Sequence, residues 1–135
     1  GLGGVIVLGD RDCSLQRRNQ KVVEECPAPN IPADVRELLH QSSKDLASSV
    51  KYQSAGTVEF LYDPHSKRPY FLEVNTRLQV EHGVTEQVYG IDLVEWMIRL
   101  TQGTLPPVGE LEKATRQNGH SIQVRLYAED PYKDF

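Results

Sequence analysis

The sequence predicts an α+β fold in which an antiparallel sheet carries packed helices. Two observations predict it. Strand-like runs at Gln20–Cys26, 57–62, 70–75 and 121–128 are interspersed with helical apolar stripes at 32–52 and 92–101. The two middle strand runs flank DPHSKRP, residues 63–69, a turn-rich stretch that reads as a hairpin connection.

Composition agrees with one soluble domain. A chain of 135 residues, 39% hydrophobic and 25% charged, is long enough for a real core. The net charge of −4, with no basic block, gives no electrostatic sign of nucleic-acid binding. No apolar run approaches a membrane span, and no signal peptide is visible, so the expected location is the cytoplasm. Cys13 and Cys26 are too irregularly placed for a disulfide framework or a zinc site and read as reduced thiols.

The elements follow in order. A glycine-rich turn at 1–4 leads into VIVL, residues 5–8, a short buried-strand signal. Residues 10–18 are polar and charge-dense and read as a loop. QKVVEEC, Gln20–Cys26, is a strand stopped by the PAP of residues 27–29. Pro32 opens a helix whose stripe is Val35, Leu38, Leu39, Ser42, Leu46 and Val50, ending near Tyr52. TVEFLY (57–62) and YFLEVN (70–75) form the hairpin. Residues 85–90 and 92–101 are short helices, the second with Leu93, Trp96, Met97 and Leu100 on one face and Gly103 behind it. Pro106 and Pro107 mark a linker, and SIQVRLYA (121–128) is an alternating strand.

The chemistry gathers in EVNTRLQVEH, residues 73–82, directly after a strand. If Tyr62 stands opposite Tyr70, Glu59 stands opposite Glu73. Val58, Phe60, Tyr62, Tyr70, Leu72 and Val74 then form an apolar face, and Thr57, Glu59, Leu61, Phe71, Glu73 and Asn75 form the other. Opposed carboxylates repel, so either one holds a proton or a cation lies between them. Glu59, Glu73 and Asn75 are an oxygen-only set suited to Mg²⁺ or Mn²⁺, with a nucleotide phosphate as co-ligand. Two solvated glutamates on an exposed hairpin are the simpler alternative.

Beyond Asn75, an extended loop would project Arg77, Gln79 and Glu81 to one side, with Leu78 and Val80 anchoring the other. An Arg fork beside an amide suits a small planar oxyanion, and Glu81 is placed as its general base. A surface Arg77–Glu81 ion pair fits the same spacing. Gln16, Arg17, Arg18, Asn19 and Lys21 form a basic, amide-rich stretch suited to phosphate, or simply a solvated loop. Arg125 alternates with Val124 and Leu126, and is either a site residue or an exposed strand arginine. His40, His65, His82 and His120 have no ligand spacing to one another and read as non-metal.

RDCSLQRRNQKVVEECPAP, GTVEFLY and EVNTRLQVEHGVTE, in this order, resemble the biotin carboxylase family of the ATP-grasp superfamily across essentially the whole chain. The resemblance implies a ligase in which ATP activates bicarbonate to carboxyphosphate and the carboxyl group passes to N1′ of biotin on a carrier domain. It implies that Glu59, Glu73 and Asn75 hold Mg²⁺ or Mn²⁺, with Glu59, Glu73, Gln16 and Asn19 at the nucleotide. It implies that Lys21, Arg77, Gln79 and the Val80 backbone hold bicarbonate, that Glu81 is the base, and that Arg125 stabilises the biotin enolate.

Within the family the chain resembles the urea carboxylase branch, including urea amidolyases. Asn19 stands where relatives usually carry His, Gly83 stands where they carry Pro, and DLVEWMIRL and YAEDPYKDF are similar to that branch. The other readings are the biotin carboxylase part of an acyl-CoA or pyruvate carboxylase, and a non-catalytic nucleotide-binding relative. Residues 1–104 are expected to be the second half of an ATP-grasp domain. Residues 105–135 are expected to be a linker and the first strand of the biotin carboxylase C-terminal domain. The resemblance places the phosphate lid and ATP-gripping lysines upstream of Gly1. It places the biotin carrier and carboxyltransferase domains beyond Phe135, in a homo-oligomeric parent that binds neither nucleic acid nor membrane. The fragment alone is expected to be inactive.

Overall fold

The computed structural model describes residues 3–133. Strands β1 (Asp12–Arg17), β2 (Gln20–Cys26) and β5 (Ser121–Val124) form an antiparallel sheet in the order β1-β2-β5. Strands β3 (Thr57–Asp63) and β4 (Arg68–Asn75) form a separate antiparallel hairpin. Helices α1 (Ala33–Ser49), α2 (His82–Tyr89), α3 (Leu93–Thr101) and α4 (Val108–Ala114) complete the fold, with a 3₁₀ turn at Pro131–Lys133. No helix among the described residues is long and apolar enough to cross a membrane.

Two parts of this arrangement position the site. Cys26 of β2 packs with Val84 and Val88 of α2, and Tyr89 closes the cluster. Val84 and Val88 are almost wholly buried, and each such burial contributes about 1.5–3 kcal/mol. This contact fixes the N-terminus of α2, and Glu81 before it, against the three-stranded sheet. Gly90 stops α2 in the left-handed region at φ 64°, where its N–H reaches Glu86 O. On the other side, α1 lies over the hairpin, and Leu38, Leu39, Ser42 and Leu46 line a groove with Phe60, Pro69 and Phe71. Leu38, Leu46 and Val50 of the predicted stripe remain exposed.

Several expectations are corrected. Residues 5–8 form no strand, because they pair with nothing in either sheet. The supposed loop at 10–18 is mostly β1, an edge strand whose charges face solvent while its backbone pairs with β2. Arg18 and Asn19 form the tight β1–β2 turn, both at positive φ (51° and 62°), which matches the strand twist of a two-residue hairpin. The helix predicted over 85–90 begins at His82, and β5 ends at Val124, although Arg125 N still donates to Val22 O at 2.9 Å. After Pro106 and Pro107 the chain forms α4, with Pro107 as N-cap, where a missing N–H is harmless. A bulge between Glu59 and Phe60 shifts the hairpin register, so Tyr62 faces Pro69 and Leu61 faces Tyr70. Phe71 thereby moves to the apolar side, edge-on to Phe60 with centroids 6.2 Å apart. Glu59 opposite Glu73 lies on the unshifted side and is found as expected.

Candidate active site

Strict alternation along β2 would put Lys21 and Glu24 on opposite faces. The β1–β2 register prevents this. Leu15 pairs with Val23 and Gln16 with Lys21, so an extra residue, Val22, bulges out of β2. A bulge re-aims its neighbours: Lys21 meets Glu81 at the start of α2, and Glu24 meets Arg125 just after β5. Gln123 and Arg125 share one face of the β5 segment, and Gln123 Nε2 donates to Val80 O at 3.4 Å.

The result is a line of alternating charges. Arg125 Nε lies 2.9 Å from Glu24 Oε1, and Arg125 Nη2 donates to Glu81 Oε2 at 2.9 Å. Lys21 Nζ donates to Glu81 Oε1 at 2.8 Å and to Glu59 Oε1 at 2.7 Å. Glu81 is at the centre, 2% exposed, and Glu24 is wholly buried. Burial pushes the Glu81 carboxyl up, but hydrogen bonding and charge from Lys21 outweigh it and leave it below the usual range. Burial opposes the Lys21 charge, yet its bonds to Glu59 and Glu81 hold its pKa above the ordinary value. Lys21 is therefore an ammonium and Glu81 a carboxylate at neutral pH.

The hairpin carboxylates join this line at Glu59. Its Oε1 also accepts from Gln79 Nε2 at 3.0 Å and Asn75 Nδ2 at 3.2 Å. Burial raises the Glu59 carboxyl, and the bonds from Lys21 and Gln79 bring it below its usual value. The cation beside Glu59 in this arrangement is thus Lys21. Asn75 Nδ2 also donates to Glu73 Oε1 at 2.9 Å, so one amide stands between both carboxylates. Turned by 180°, that amide puts Oδ1 in the same place, and the three residues then offer only oxygens to a hard cation. Among the described residues no cluster of three or more His, Cys, Asp and Glu could hold a metal ion.

The other predicted residues are placed unevenly. Gln79 is buried and reaches the line, but the loop does not stay extended: His82 N returns to Gln79 O at 3.2 Å. Arg77 is exposed, with its guanidinium near Leu78 O, and Val80 is 63% exposed rather than an anchor. Glu81 pairs with Lys21 and Arg125, not Arg77. Arg125 is a site-facing residue, 24% exposed in its side chain. Gln16 lies on exposed β1, with Nε2 on Cys13 O at 3.0 Å, and Asn19 occupies the exposed β1–β2 turn.

Sequence reasoning missed Arg11, Thr57, Thr85 and Glu24. Arg11 donates to Thr85 Oγ1 at 3.0 Å, Thr57 Oγ1 at 2.9 Å and Gln79 Oε1 at 2.9 Å. One guanidinium thereby ties α2, the hairpin and the loop together. Its signal was hidden inside a stretch read as a loop. Glu24 had a signal: a carboxylate within the apolar run of β2 needs a partner. Cys13 and Cys26 are free thiols, and burial near the site pushes Cys13 up to about 11.

A sheet carrying Lys21 and Arg125, a helix start carrying Glu81 and a hairpin carrying paired carboxylates meet in one place, on a fold of the ATP-grasp type. Residues 1–107 match the carbamoyl-phosphate synthase L chain, ATP binding domain, and the chain belongs to that family. Over 135 residues it is 55% identical to the urea amidolyase of Saccharomyces cerevisiae, covering all of this chain and 7% of that protein. It superposes on the urea carboxylase of Kluyveromyces lactis with a TM-score of 0.91 at 54% identity, covering 98% of this chain and 12% of that one. It also matches the biotin carboxylase domain of Hydrogenobacter thermophilus 2-oxoglutarate carboxylase, solved with MgADP and bicarbonate. There the TM-score is 0.87 at 46% identity, over 99% of this chain and 29% of that one. The motif resemblance to biotin carboxylases is borne out, and the chain spans only a small part of the relatives it matches.

Proposed function

We propose that this chain forms one wall of the centre that carboxylates biotin in a biotin-dependent carboxylase of the urea carboxylase type. The parent would convert urea, ATP and bicarbonate to allophanate, with biotin on a carrier domain and a carboxyltransferase domain elsewhere in the same protein. The observation that carries this is Glu81, a buried carboxylate gripped by Lys21 and Arg125 beside the Glu59–Gln79–Asn75 cluster. We read residues 1–104 as ATP-grasp and 105–135 as the start of the next domain, and the pairing of β5 with β2 supports a shared site.

Bicarbonate binds between Lys21 Nζ, Gln79 Nε2, the Val80 N–H and Arg77, which swings in from its exposed position. The anion competes with Glu81 for Lys21. Once Lys21 turns to it, Glu81 loses its strongest stabilising bond and becomes a better base. Glu81 takes the bicarbonate proton, and a bicarbonate oxygen attacks the γ-phosphorus of ATP, releasing ADP and carboxyphosphate. The C–O bond of carboxyphosphate then breaks and inorganic phosphate leaves, taking up the N1′ proton as the carboxyl group passes to biotin; Arg125 would hold biotin by its ureido oxygen and balance the negative charge that gathers there. Glu59, Glu73 and Asn75 would hold Mg²⁺ or Mn²⁺, which neutralises phosphate charge as phosphoryl transfer requires. Gln16 and Asn19 would lie near the nucleotide.

In the full protein, Glu81→Gln should lower bicarbonate-dependent ATP turnover at least about 10³-fold while ATP binding stays within about threefold. Wild-type turnover in that variant would remove the base assignment. The similarity to the 2-oxoglutarate carboxylase domain favours one second reading, a carboxylase for another acceptor. Urea-dependent turnover, measured against acyl-CoA and 2-oxo acid acceptors, separates the two.

A further inference from the structure

We propose that Glu24 is a positioning residue for Arg125, holding one edge of its guanidinium so that the other edge faces Glu81. This rests on the reading of Arg125 and Glu81 given above. The line Glu24–Arg125–Glu81–Lys21–Glu59 has two ends. The Glu59 end is accounted for by the hairpin cluster. The Glu24 end has no role in that chemistry, although Glu24 is wholly buried.

A buried carboxylate is expensive, and an apolar residue of similar volume would serve stability as well or better. Its place in a core strand therefore calls for a geometric reason. Arg125 Nε approaches Glu24 Oε1 at 2.9 Å, but off line: Nε and both Glu24 oxygens lack a well-directed hydrogen bond. The contact is one of charge, and it is aimed at the guanidinium alone. A guanidinium is a rigid fork. With Nε drawn to Glu24, Nη2 is the donor left for Glu81 Oε2, at 2.9 Å. The β2 bulge at Val22 lets Lys21 reach Glu81 directly, while Glu24 reaches Arg125, the cation on the other oxygen of that carboxylate.

The test uses the full protein and reads biotin-dependent ATP turnover. Glu24→Gln keeps the shape and removes the charge. It should lower kcat about 30-fold, with KM for ATP and bicarbonate changed less than about twofold. Glu24→Asp should recover a good part of that loss. In an Arg125→Lys background, Glu24→Gln should cost less than about threefold more, because its effect passes through Arg125. Equal losses in both backgrounds, or an Asp variant no better than Gln, would overturn the proposal. Wild-type turnover in Glu24→Gln with a crippled Arg125→Lys would overturn it and leave the Arg125 reading standing. Wild-type turnover in Arg125→Lys would remove that reading and the proposal with it. Should Glu24→Gln not fold, Glu24→Asp alone decides: a kcat loss that vanishes in the Arg125→Lys background supports positioning, and one that persists overturns it.

Discussion

Glu81 is a carboxylate with a cation on each oxygen. Its position between Lys21 and Arg125 keeps it ionised, and in the proposed mechanism it becomes the base once Lys21 turns to bicarbonate. The same pairing gives stability a pH dependence. The folded pKa of Glu81 lies below the ordinary 4.5, so the unfolded chain binds its proton first as pH falls. The stabilisation is present above the ordinary value and is lost as pH drops through the folded value. Glu81→Gln should flatten this acid-side fall, and thermal midpoints of the full protein from about pH 6 down to about pH 3, below the ordinary value, would check it. An unchanged slope would mean that Glu81 does not carry the linked proton. Most of these residues were legible in the sequence, because Lys21, Gln79 and Glu81 sit in polar runs and the hairpin register sets Glu59 opposite Glu73. Arg77 was legible as a residue type only: the turn after Gln79 decides where its neighbours point, and spacing does not reveal a turn stabilised by His82.

At the scale of elements, two bulges decide what meets what. One lets Lys21 and Glu24 both reach the line of charges. The other shifts the hairpin and brings Phe71 beside Phe60, and it spares the Glu59–Glu73 pair because the shift falls on the turn side of it. Period-two reasoning placed the carboxylates correctly and Phe71 wrongly, since an inserted residue leaves no mark in composition. The strand β1 was illegible for a related reason: an edge strand needs backbone partners more than apolar side chains. Arg11 is the element-level joint, binding Thr57, Thr85 and Gln79 at once. Arg11→Met should destabilise the protein by about 2–4 kcal/mol, because it leaves several part-buried acceptors without a donor. Urea denaturation checks this, and a loss below about 0.5 kcal/mol would show that the joint is not needed.

For the whole molecule, the site is one wall. Glu73, Arg77, Val80 and Asn19 are exposed, while Glu24, Gln79 and Glu81 are buried behind them. An open wall holds a nucleotide poorly, so these 135 residues alone should bind ATP with a Kd weaker than about 100 μM by titration calorimetry. Micromolar affinity would show that the wall suffices.

In the proposed mechanism bicarbonate, deprotonated by Glu81, attacks the γ-phosphorus of ATP. Turnover of the full protein with ¹⁸O-labelled bicarbonate tests it most directly. The mechanism predicts one ¹⁸O carried into each inorganic phosphate released, with both transfer and turnover lost in Glu81→Gln. Phosphate released without the label would mean that water, not bicarbonate, attacks ATP.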